Sequence, residues 1–444
     1  MALLQEFISN YQSKNLFTKK DKLLVATSGG VDSVVLCKLC ELAGLDFGIA
    51  HCNFQLRGND SDRDEAFVEK FAEQLNVPFF STRFDTKKYA EQNKASTQVA
   101  ARELRYHWFE EVAANHNYNF ILTAHHADDN IETVVMSFFR GTGIKGLTGI
   151  RAKNDKLRRP LLFARRKELE DFLSEHQLPF VQDESNFHDD YTRNYFRNKI
   201  LPMIAEVYPG ANDNILRNIE RLKGATVLYN EAVALKRKKI LAQKGAEFYM
   251  PVLLLQQQKP IQTLLYEMVK DFGFTPAQLK DIIQLLQSES GKYVVSPTHR
   301  ILRNRKHLVL APLEETVKTA VIIDGAGKYY FVNGALEIKK TDKLPAFTTD
   351  ENTALIDAKH LKYPLILRPW KIGDYFYPLG MTKKKKLSRF FINKKLSVIE
   401  KEKVWVLEMD KKIIWVVGHR IDDRFKITNA TKESLQIKFL QPGN

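Results

Sequence analysis

The sequence of 444 residues has few cysteines and no long apolar run. Its three cysteines are Cys37, Cys40 and Cys52, a number that excludes a disulfide-stabilised scaffold and fits a reducing cytosol. No stretch of about 18 or more apolar residues occurs, which excludes a transmembrane helix. The N-terminus lacks a basic segment followed by an apolar run, so we expect no secretory signal. These absences predict a cytoplasmic protein that is not embedded in a membrane.

Positive charge, by contrast, is abundant. Lys and Arg total 68 against 53 Asp and Glu, a net charge of +15. Residues 361–444 alone carry 19 Lys and Arg against 8 Asp and Glu. A segregated positive charge is typical of proteins that bind polyanions, although a solvated basic surface would have the same composition.

Short apolar runs alternate with helical patterns over roughly the first 160 residues, at the usual strand and helix lengths. Four of the runs predict strands: 22–27, 46–51, 77–80 and 119–124. The alternation predicts an α/β fold, a doubly wound parallel sheet with helices on both faces. Helical spacing follows, and then a β-rich pattern from about residue 317. We therefore expect a sheet domain at 1–212, a helical middle domain at 213–315 and a smaller α+β domain at 316–444.

A glycine-containing turn, Ser28-Gly29-Gly30-Val31-Asp32-Ser33, directly follows the first predicted strand and opens a helix. Glycines allow the backbone to approach a ligand closely, and the N–H groups of a helix N-terminus attract anions. A carboxylate such as Asp32 would repel a phosphate there unless it held Mg²⁺ or oriented the loop. The alternative is a plain strand-to-helix turn with a Ser or Asp cap.

This string resembles the pyrophosphate loop of the ATP pyrophosphatases (PP-loop superfamily, adenine nucleotide alpha hydrolase-like fold), which split ATP into AMP and pyrophosphate. No Walker motif occurs. The segment Gly141-Thr142-Gly143-Ile144-Lys145-Gly146 matches a dinucleotide fingerprint literally, but it follows a predicted helix rather than a strand, so we interpret it as a glycine-rich connection.

Two further groups of charged residues fall on predicted helices. Arg102 and Arg105 are three residues apart and share one helix face, where they would clamp phosphates or lie in solvent. Asp129 and Glu132 are also three apart, at the end of the fourth strand and the start of a helix. They would form a binding site or a helix-capping pair.

Together these strings resemble the tRNA(Ile)-lysidine synthetases over nearly the whole chain. The other matching strings are Phe139-Arg140-Gly141-Thr142-Gly143-Ile144-Lys145-Gly146-Leu147, Arg159-Pro160-Leu161-Leu162, Asp183-Glu184-Ser185-Asn186, Tyr191-Thr192-Arg193-Asn194-Tyr195-Phe196-Arg197, Leu367-Arg368-Pro369-Trp370-Lys371-Ile372-Gly373-Asp374, Pro378-Leu379-Gly380-Met381 and Gly418-His419-Arg420-Ile421-Asp422. One departure is visible: the family commonly has a second histidine three positions after His51, where this chain has Phe54.

The resemblance implies a ligase that joins free L-lysine to C2 of the wobble cytidine (position 34) of tRNA(Ile) with a CAU anticodon. ATP would first adenylate the C2 oxygen, and lysine would then displace AMP to give lysidine. The implied catalytic residues are Asp32, Arg105, Asp129 and Glu132. The implied ATP-binding residues are Ser28, Gly29, Gly30, Val31, Asp32, Ser33 and His51.

The same resemblance implies the partners of the reaction. Asp32 would hold the Mg²⁺ that accompanies ATP, and Asp129 and Glu132 would hold the substrate lysine. The residues implied to bind tRNA are Arg193, Arg197, Lys383, Lys384, Lys385 and Lys386. We expect Phe390 and Phe391 to lie among the C-terminal basic residues as apolar anchors, with a solubilising loop as the alternative.

Two other functions stay open at this point. A PP-loop tRNA thiolase would need reactive cysteines, whereas the pattern around Cys37 and Cys40 predicts two buried residues on an apolar helix face. A non-catalytic RNA-binding relative of the same fold is the second. The oligomeric state is left open, with a homodimer as one of the states.

Overall fold

The computed structural model describes residues 1–56, 58–182, 192–313, 319–341 and 350–441, which form two compact units, Met1–Glu231 and Ala232–Asn444. The motif residues Asp183, Glu184, Ser185, Asn186 and Tyr191 lie outside the described residues. The three-domain division at 212 and 315 stays a prediction. None of the described helices is both long enough and apolar enough to cross a membrane.

The described part of the first unit alternates strands and helices, as expected. Its strands are β1 Leu23–Ala26, β2 Phe47–Asn53, β3 Phe79–Arg83, β4 Phe120–Leu122, β5 Lys153–Asn154 and β6 Leu157–Arg158. Its helices are α1 Ala2–Ser13, α2 Val31–Leu42, α3 Asn59–Gln74, α4 Thr86–Gln92, α5 Thr97–Asn115, α6 Ala127–Phe139, α7 Arg166–Glu175, α8 Thr192–Tyr195 and α9 Leu201–Val207. A π-helical turn, Phe196–Ile200, joins α8 to α9, and the long α10, Ala211–Ile240, leads into the second unit.

The sheet has the order β3-β2-β1-β4-β6-β5, and its pairs are parallel except the edge pair β5–β6. Successive side chains of β1 enter different cores, as the pleat requires. Leu23 and Val25 pack in the core that contains α1, α2 and α7, whereas Leu24 packs against Phe109 and Val112 of α5. Helices therefore cover both faces, which confirms the doubly wound sheet.

The order of the strands also fixes the position of the ligand crevice. The chain passes from β1 outward to β2 and β3, and then returns to the other side of β1 for β4. The loops that follow β1 and β4 therefore diverge at a topological switch point, where open α/β sheets bind their ligands. The glycine turn and the turn that carries Asp129 both lie there.

The middle part of the second unit contains the expected helices and also a five-stranded antiparallel sheet of order β7-β8-β11-β10-β9. Strand-like patterns at 292–296 and 307–311 indicated only two of these strands. The elements are β7 Ala242–Lys244, β8 Glu247–Pro251, α11 Val252–Gln256, α12 Ile261–Val269, α13 Leu279–Gln284, β9 Tyr293–Val295, β10 His299–Asn304 and β11 His307–Pro312. Helices and sheet enclose one core around Leu265, Met268 and Leu308.

The C-terminal part is β-rich with two short helices, as expected. Its elements are β12 Val321–Ile323, β13 Gly327–Phe331, β14 Gly334–Thr341, β15 Thr353–Asp357, β16 Leu365–Pro369, β17 Tyr375–Phe376, β18 Lys385–Lys386, α14 Leu387–Asn393, α15 Val398–Glu402, β19 Trp405–Met409, β20 Lys412–Val416, β21 Arg420–Ile421 and β22 Ser434–Leu440. The sheets β12-β16-β19-β20-β21 and β13-β14-β22-β15 share a core around the buried Trp405 and Trp415.

Two of the C-terminal motifs stabilise loops. The guanidinium of Arg368 donates to Asp374 at 2.8 and 3.0 Å and also pairs with Glu408. Asp422 is fully buried and accepts hydrogen bonds from the backbone of Tyr377 and from Arg424. These contacts explain Arg368, Asp374 and Asp422 without a ligand.

Candidate active site

The glycine turn has the backbone that an anion cradle needs. Gly29 has φ +92°, and a Cβ there would lie 3.3 Å from Phe67 and Val181, so a larger residue would be both strained and crowded. The hydroxyl of Ser33 donates to the carbonyl of Gly30 at 2.9 Å and accepts from the backbone N–H of Ser28. The turn is therefore closed by its own serines where α2 begins.

Asp32 lies in the first turn of α2 with one carboxylate oxygen unpartnered. Its Oδ1 is buried and accepts no hydrogen bond, and its Oδ2 lies 3.4 Å from Nη1 of Arg166. Burial raises the pKa of Asp32, although the nearby His126 and Arg166 offset part of that effect. A buried carboxylate oxygen without a donor fits a cation bound at that point.

His51 and Arg105 border the same turn. His51 is buried, its Nδ1 lies 2.9 Å from the carbonyl of Thr27, and burial lowers its pKa. The exposed guanidinium of Arg105 lies over the ring of Phe54, 5.0 Å from the ring centre. The residue that replaces the family's second histidine therefore contacts the predicted catalytic arginine.

The turn after β4 buries its carboxylates. Glu132 is 1% exposed and Asp129 is 9% exposed. Oδ2 of Asp129 accepts from the backbone N–H of His126 at 3.0 Å, so this residue does cap α6. Its Oδ1 and both oxygens of Glu132 face the arginines described next. Helix capping therefore accounts for only one of the four carboxylate oxygens of Asp129 and Glu132.

Arg193 and Arg197 both pair with these two carboxylates. Arg193 contacts Asp129 and Glu132 at 2.7 Å each. Arg197 contacts Asp129 at 3.2 Å and Glu132 at 2.5 Å. Burial would lower the pKa of Arg197, but its hydrogen bond to Glu132 raises it instead. The tRNA-binding role of the two arginines stays a prediction, and their position places them at the predicted lysine site.

His126 lies between the two predicted sites. It is 1% exposed, and neither ring nitrogen has a hydrogen-bond partner. Its Nε2 is 3.7 Å from Oδ2 of Asp32 and 3.6 Å from Oδ2 of Asp129. Burial would raise the pKa of Asp129, but the charges of His126 and Arg193 lower it. The glycine turn and the paired carboxylates are thus parts of one site.

Two adjoining clefts open onto this site. One, of about 260 Å³, is bordered by Arg105, Phe54 and His125, and the other, of about 790 Å³, by Arg166, Phe180 and Arg197. The residues common to both linings are Ser28, Gly30, Asp32, Asp129 and Arg193. Two ligands bound in these clefts would meet beside Asp32 and Asp129.

Sequence reasoning missed Arg166, which contacts Asp32. A signal was present, because Arg165 and Arg166 begin α7, where positive charge is unfavourable for the helix dipole. The structure shows what offsets that cost: Asp128 accepts from the backbone N–H of Arg166 at 2.7 Å and pairs with Arg165.

The cysteines are poorly suited to redox chemistry. Cys37 and Cys40 are fully buried, as predicted. Burial raises the pKa of Cys37 to about 12 and that of Cys40 well above its ordinary value. Burial also raises the pKa of Cys52 to about 12. Thiols of this kind are inert because the thiolate is the reactive form.

The predicted tRNA-binding lysines lie in the C-terminal part. Lys383, Lys384 and Lys386 are exposed, and Lys385 is half-buried. The expectation that Phe390 and Phe391 lie among them as surface anchors is wrong. Both rings are buried in a core with Phe376 and Leu387 because they lie on the inner face of α14.

Matches to known proteins cover nearly the whole chain. Family models match a PP-loop domain at 3–204, a TilS substrate binding domain at 243–313 and a TilS substrate C-terminal domain at 365–437. The chain is 39% identical to the tRNA(Ile)-lysidine synthase of Parabacteroides distasonis, over 98% of each chain. It is 35% identical to that of Bacteroides thetaiotaomicron, over 99% of this chain and 100% of the relative. A solved U34-tRNA thiolase from Methanococcus maripaludis has a TM-score of 0.40 and 18% identity, over 49% of this chain and 76% of its own.

Proposed function

The chain belongs to the tRNA(Ile)-lysidine synthase family, and on that premise we propose that it ligates free L-lysine to C2 of the wobble cytidine of tRNA(Ile) with a CAU anticodon. The reaction has two steps. The C2 oxygen attacks the α-phosphorus of ATP and releases diphosphate, and the ε-amine of lysine then attacks C2 and releases AMP. The proposal rests on one observation: the glycine turn and the paired carboxylates meet at Asp32 and Asp129.

ATP binds at the glycine turn in this proposal. The backbone N–H groups of Gly29, Gly30 and Val31 and the start of α2 hold its phosphates, since a helix N-terminus attracts anions. The hydroxyls of Ser28 and Ser33 keep the turn closed. His51, with Nδ1 held at the carbonyl of Thr27, supports the strand end below the turn.

Mg²⁺ accompanies ATP, and Asp32 is the residue that would hold it. The described residues contain no group of three or more His, Cys, Asp or Glu that could hold a metal unaided. Mg²⁺ in nucleotide sites needs only one or two carboxylates, because phosphates and water supply its other ligands. The unpartnered Oδ1 of Asp32 fits such a single contact. Bound there, the ion would neutralise charge on the departing diphosphate.

Arg105 stabilises the adenylated intermediate in this proposal. Its guanidinium borders the smaller cleft and lies over Phe54. A planar cation at this point would contact the phosphate of the adenylate. Since the C2 oxygen must be exposed for attack, the cytidine must be unstacked, which costs less in an anticodon loop than in a duplex.

Asp129 and Glu132 hold the substrate lysine. An amine of pKa ~10.4 is only about one part in a thousand neutral near pH 7.4, so the attacking group must lose a proton. The carboxylates bind its ammonium and place it beside C2, and this proximity contributes to the rate. Free lysine also carries an α-carboxylate, and Arg193 and Arg197 add positive charge to the same cluster. A cluster of both signs suits a zwitterion.

The test of this function against a non-catalytic relative is pyrophosphate release. We expect release from ATP only when tRNA(Ile) with the CAU anticodon is present. If no tRNA gives pyrophosphate release, the protein is a non-catalytic RNA-binding relative. A thiolase would differ from a lysine ligase in needing a sulfur donor in place of lysine. A cytoplasmic location and a homodimer stay predictions.

Neutralising the four lysines Lys383, Lys384, Lys385 and Lys386 with glutamine should weaken tRNA binding and flatten its salt dependence. Each phosphate contact contributes a slope of roughly −0.7 to −0.9 to the logarithm of affinity against the logarithm of salt concentration. The measurement is a series of tRNA titrations at increasing salt concentration. KM for ATP and for lysine should stay unchanged, and an unchanged salt slope would remove these lysines from the tRNA interface.

A further inference from the structure

We propose that Phe138 and Phe139, at the C-terminal end of α6, form a stacking platform for an unpaired base of the anticodon loop next to the target cytidine. The proposal rests on the proposed function, since it assigns a contact for the same tRNA. It also gives a role to the family-matching string that begins at Phe139, which the proposed roles of the glycine turn and of the paired carboxylates do not explain.

The two rings are unusually exposed. Phe138 is 66% exposed and Phe139 is 68% exposed, and Phe180 is the only other exposed phenylalanine among the described residues, at 44%. The rings of Phe138 and Phe139 meet edge to face, with centres 5.8 Å apart and planes at 87°. Two adjacent aromatic rings in solvent at the end of a helix indicate a binding surface rather than a core.

The platform is connected to the reaction site through α6. Phe139 follows Glu132 by seven residues, so the two lie on the same helix face about 10 Å apart along the axis. The ring of Phe139 also contacts that of Phe196, with centres 5.9 Å apart. The next residue, Arg197, pairs with Glu132. A base held on the platform would therefore belong to a nucleotide close to the one that reacts.

The charge around the rings favours nucleic acid over a protein partner or a second copy of this basic chain. Residues 133–154, which contain both phenylalanines, include four basic and no acidic side chains. Residues 192–205, which contain Phe196, include three basic and no acidic side chains. Aromatic rings among basic residues are the usual surface for single-stranded bases, because the rings stack on bases while the cations attract phosphates.

A cycle of protein and tRNA changes tests the contact directly. Phe138→Ala and Phe139→Ala should each lower the affinity for tRNA(Ile) at least about fivefold, since stacking is lost. Phe139→Trp should retain the affinity, whereas Phe139→Leu, which keeps an apolar side chain, should not. Leu42→Ala is the matched control, because Leu42 is an exposed apolar residue at the other end of a helix that starts at the site.

The second arm uses tRNA transcripts in which either neighbour of the target cytidine is abasic. The abasic change should weaken binding to the wild-type protein at one of the two positions and have no further effect on Phe139→Ala. Equal additional losses in both proteins at both positions would overturn the proposal, as would normal binding by both alanine variants. Wild-type lysine incorporation into unmodified tRNA is measured in parallel, so that failure of the platform is distinguished from failure of the proposed function.

Discussion

Replacing Asp32 with alanine should abolish ATP-dependent pyrophosphate release while tRNA binding stays nearly unchanged. The side chain lies in the glycine turn with one buried oxygen unpartnered, and it cannot attract a polyanion. Its loss would remove the proposed contact to Mg²⁺, and removal of one electrostatic contact of this kind costs on the order of 10²–10³ in rate. Initial rates of pyrophosphate release and equilibrium tRNA titrations measure the two effects.

Two further variants control that result. Asp32→Asn keeps the shape of the side chain but loses its charge, so it should be nearly as inactive as Asp32→Ala. Asp46→Asn changes an exposed carboxylate at the opposite end of the strands, just before β2 begins, and should retain wild-type activity. Normal pyrophosphate release by Asp32→Ala would show that our assignment of the turn is wrong.

Asp129→Asn and Glu132→Gln should separate the two half-reactions. Each variant keeps its shape but loses the charge that, in our proposal, binds a cationic substrate. We expect pyrophosphate release to persist at least partly, adenylated tRNA to accumulate, and kcat/KM for lysine to fall about 10- to 150-fold, the cost of a lost hydrogen bond to a charged group. Single-turnover experiments with isotopically labelled lysine and ATP follow both steps.

The arginine pairs in the structure provide the control for these variants. If the carboxylates serve mainly to hold Arg193 and Arg197, then Arg193→Gln and Arg197→Gln should reproduce the defects of Asp129→Asn and Glu132→Gln in both half-reactions. If the carboxylates bind lysine, the arginine variants should still bind the ammonium group of lysine. Their KM for lysine should then differ from that of the carboxylate variants. Parallel loss of both half-reactions in all four variants would contradict the lysine assignment.

The parts of the fold that follow from local patterns were predictable. The helical pattern over residues 97–115 matches α5, Thr97–Asn115, because its spacing and its N-cap, Ser96, are local features of the sequence. The positions of the glycine turn and of Asp129 at one edge of the sheet also followed, since every parallel strand presents its carboxyl end there. Both depend on rules that act over a few residues.

The pairing of Arg193 and Arg197 with Asp129 and Glu132 was not predictable in the same way. The partners lie more than 60 residues apart in sequence, and each charged residue had several candidate partners. The sequence did contain one indication: two arginines four residues apart match two carboxylates three residues apart, each set on one helix face. The burial of Phe390 and Phe391 was also not predicted. The many basic residues around them made the apolar inner face of this short helix hard to recognise from the sequence.

Mass spectrometry of tRNA(Ile) with the CAU anticodon, after incubation with this protein, ATP and isotopically labelled lysine, tests the central claim most directly. The account predicts that one nucleoside, the wobble cytidine, gains the mass of lysine less one water and carries the label. The gain should require ATP and should disappear in Asp32→Ala. An unmodified cytidine in the presence of all three substrates, or a gain that corresponds to sulfur in place of oxygen, would contradict the account.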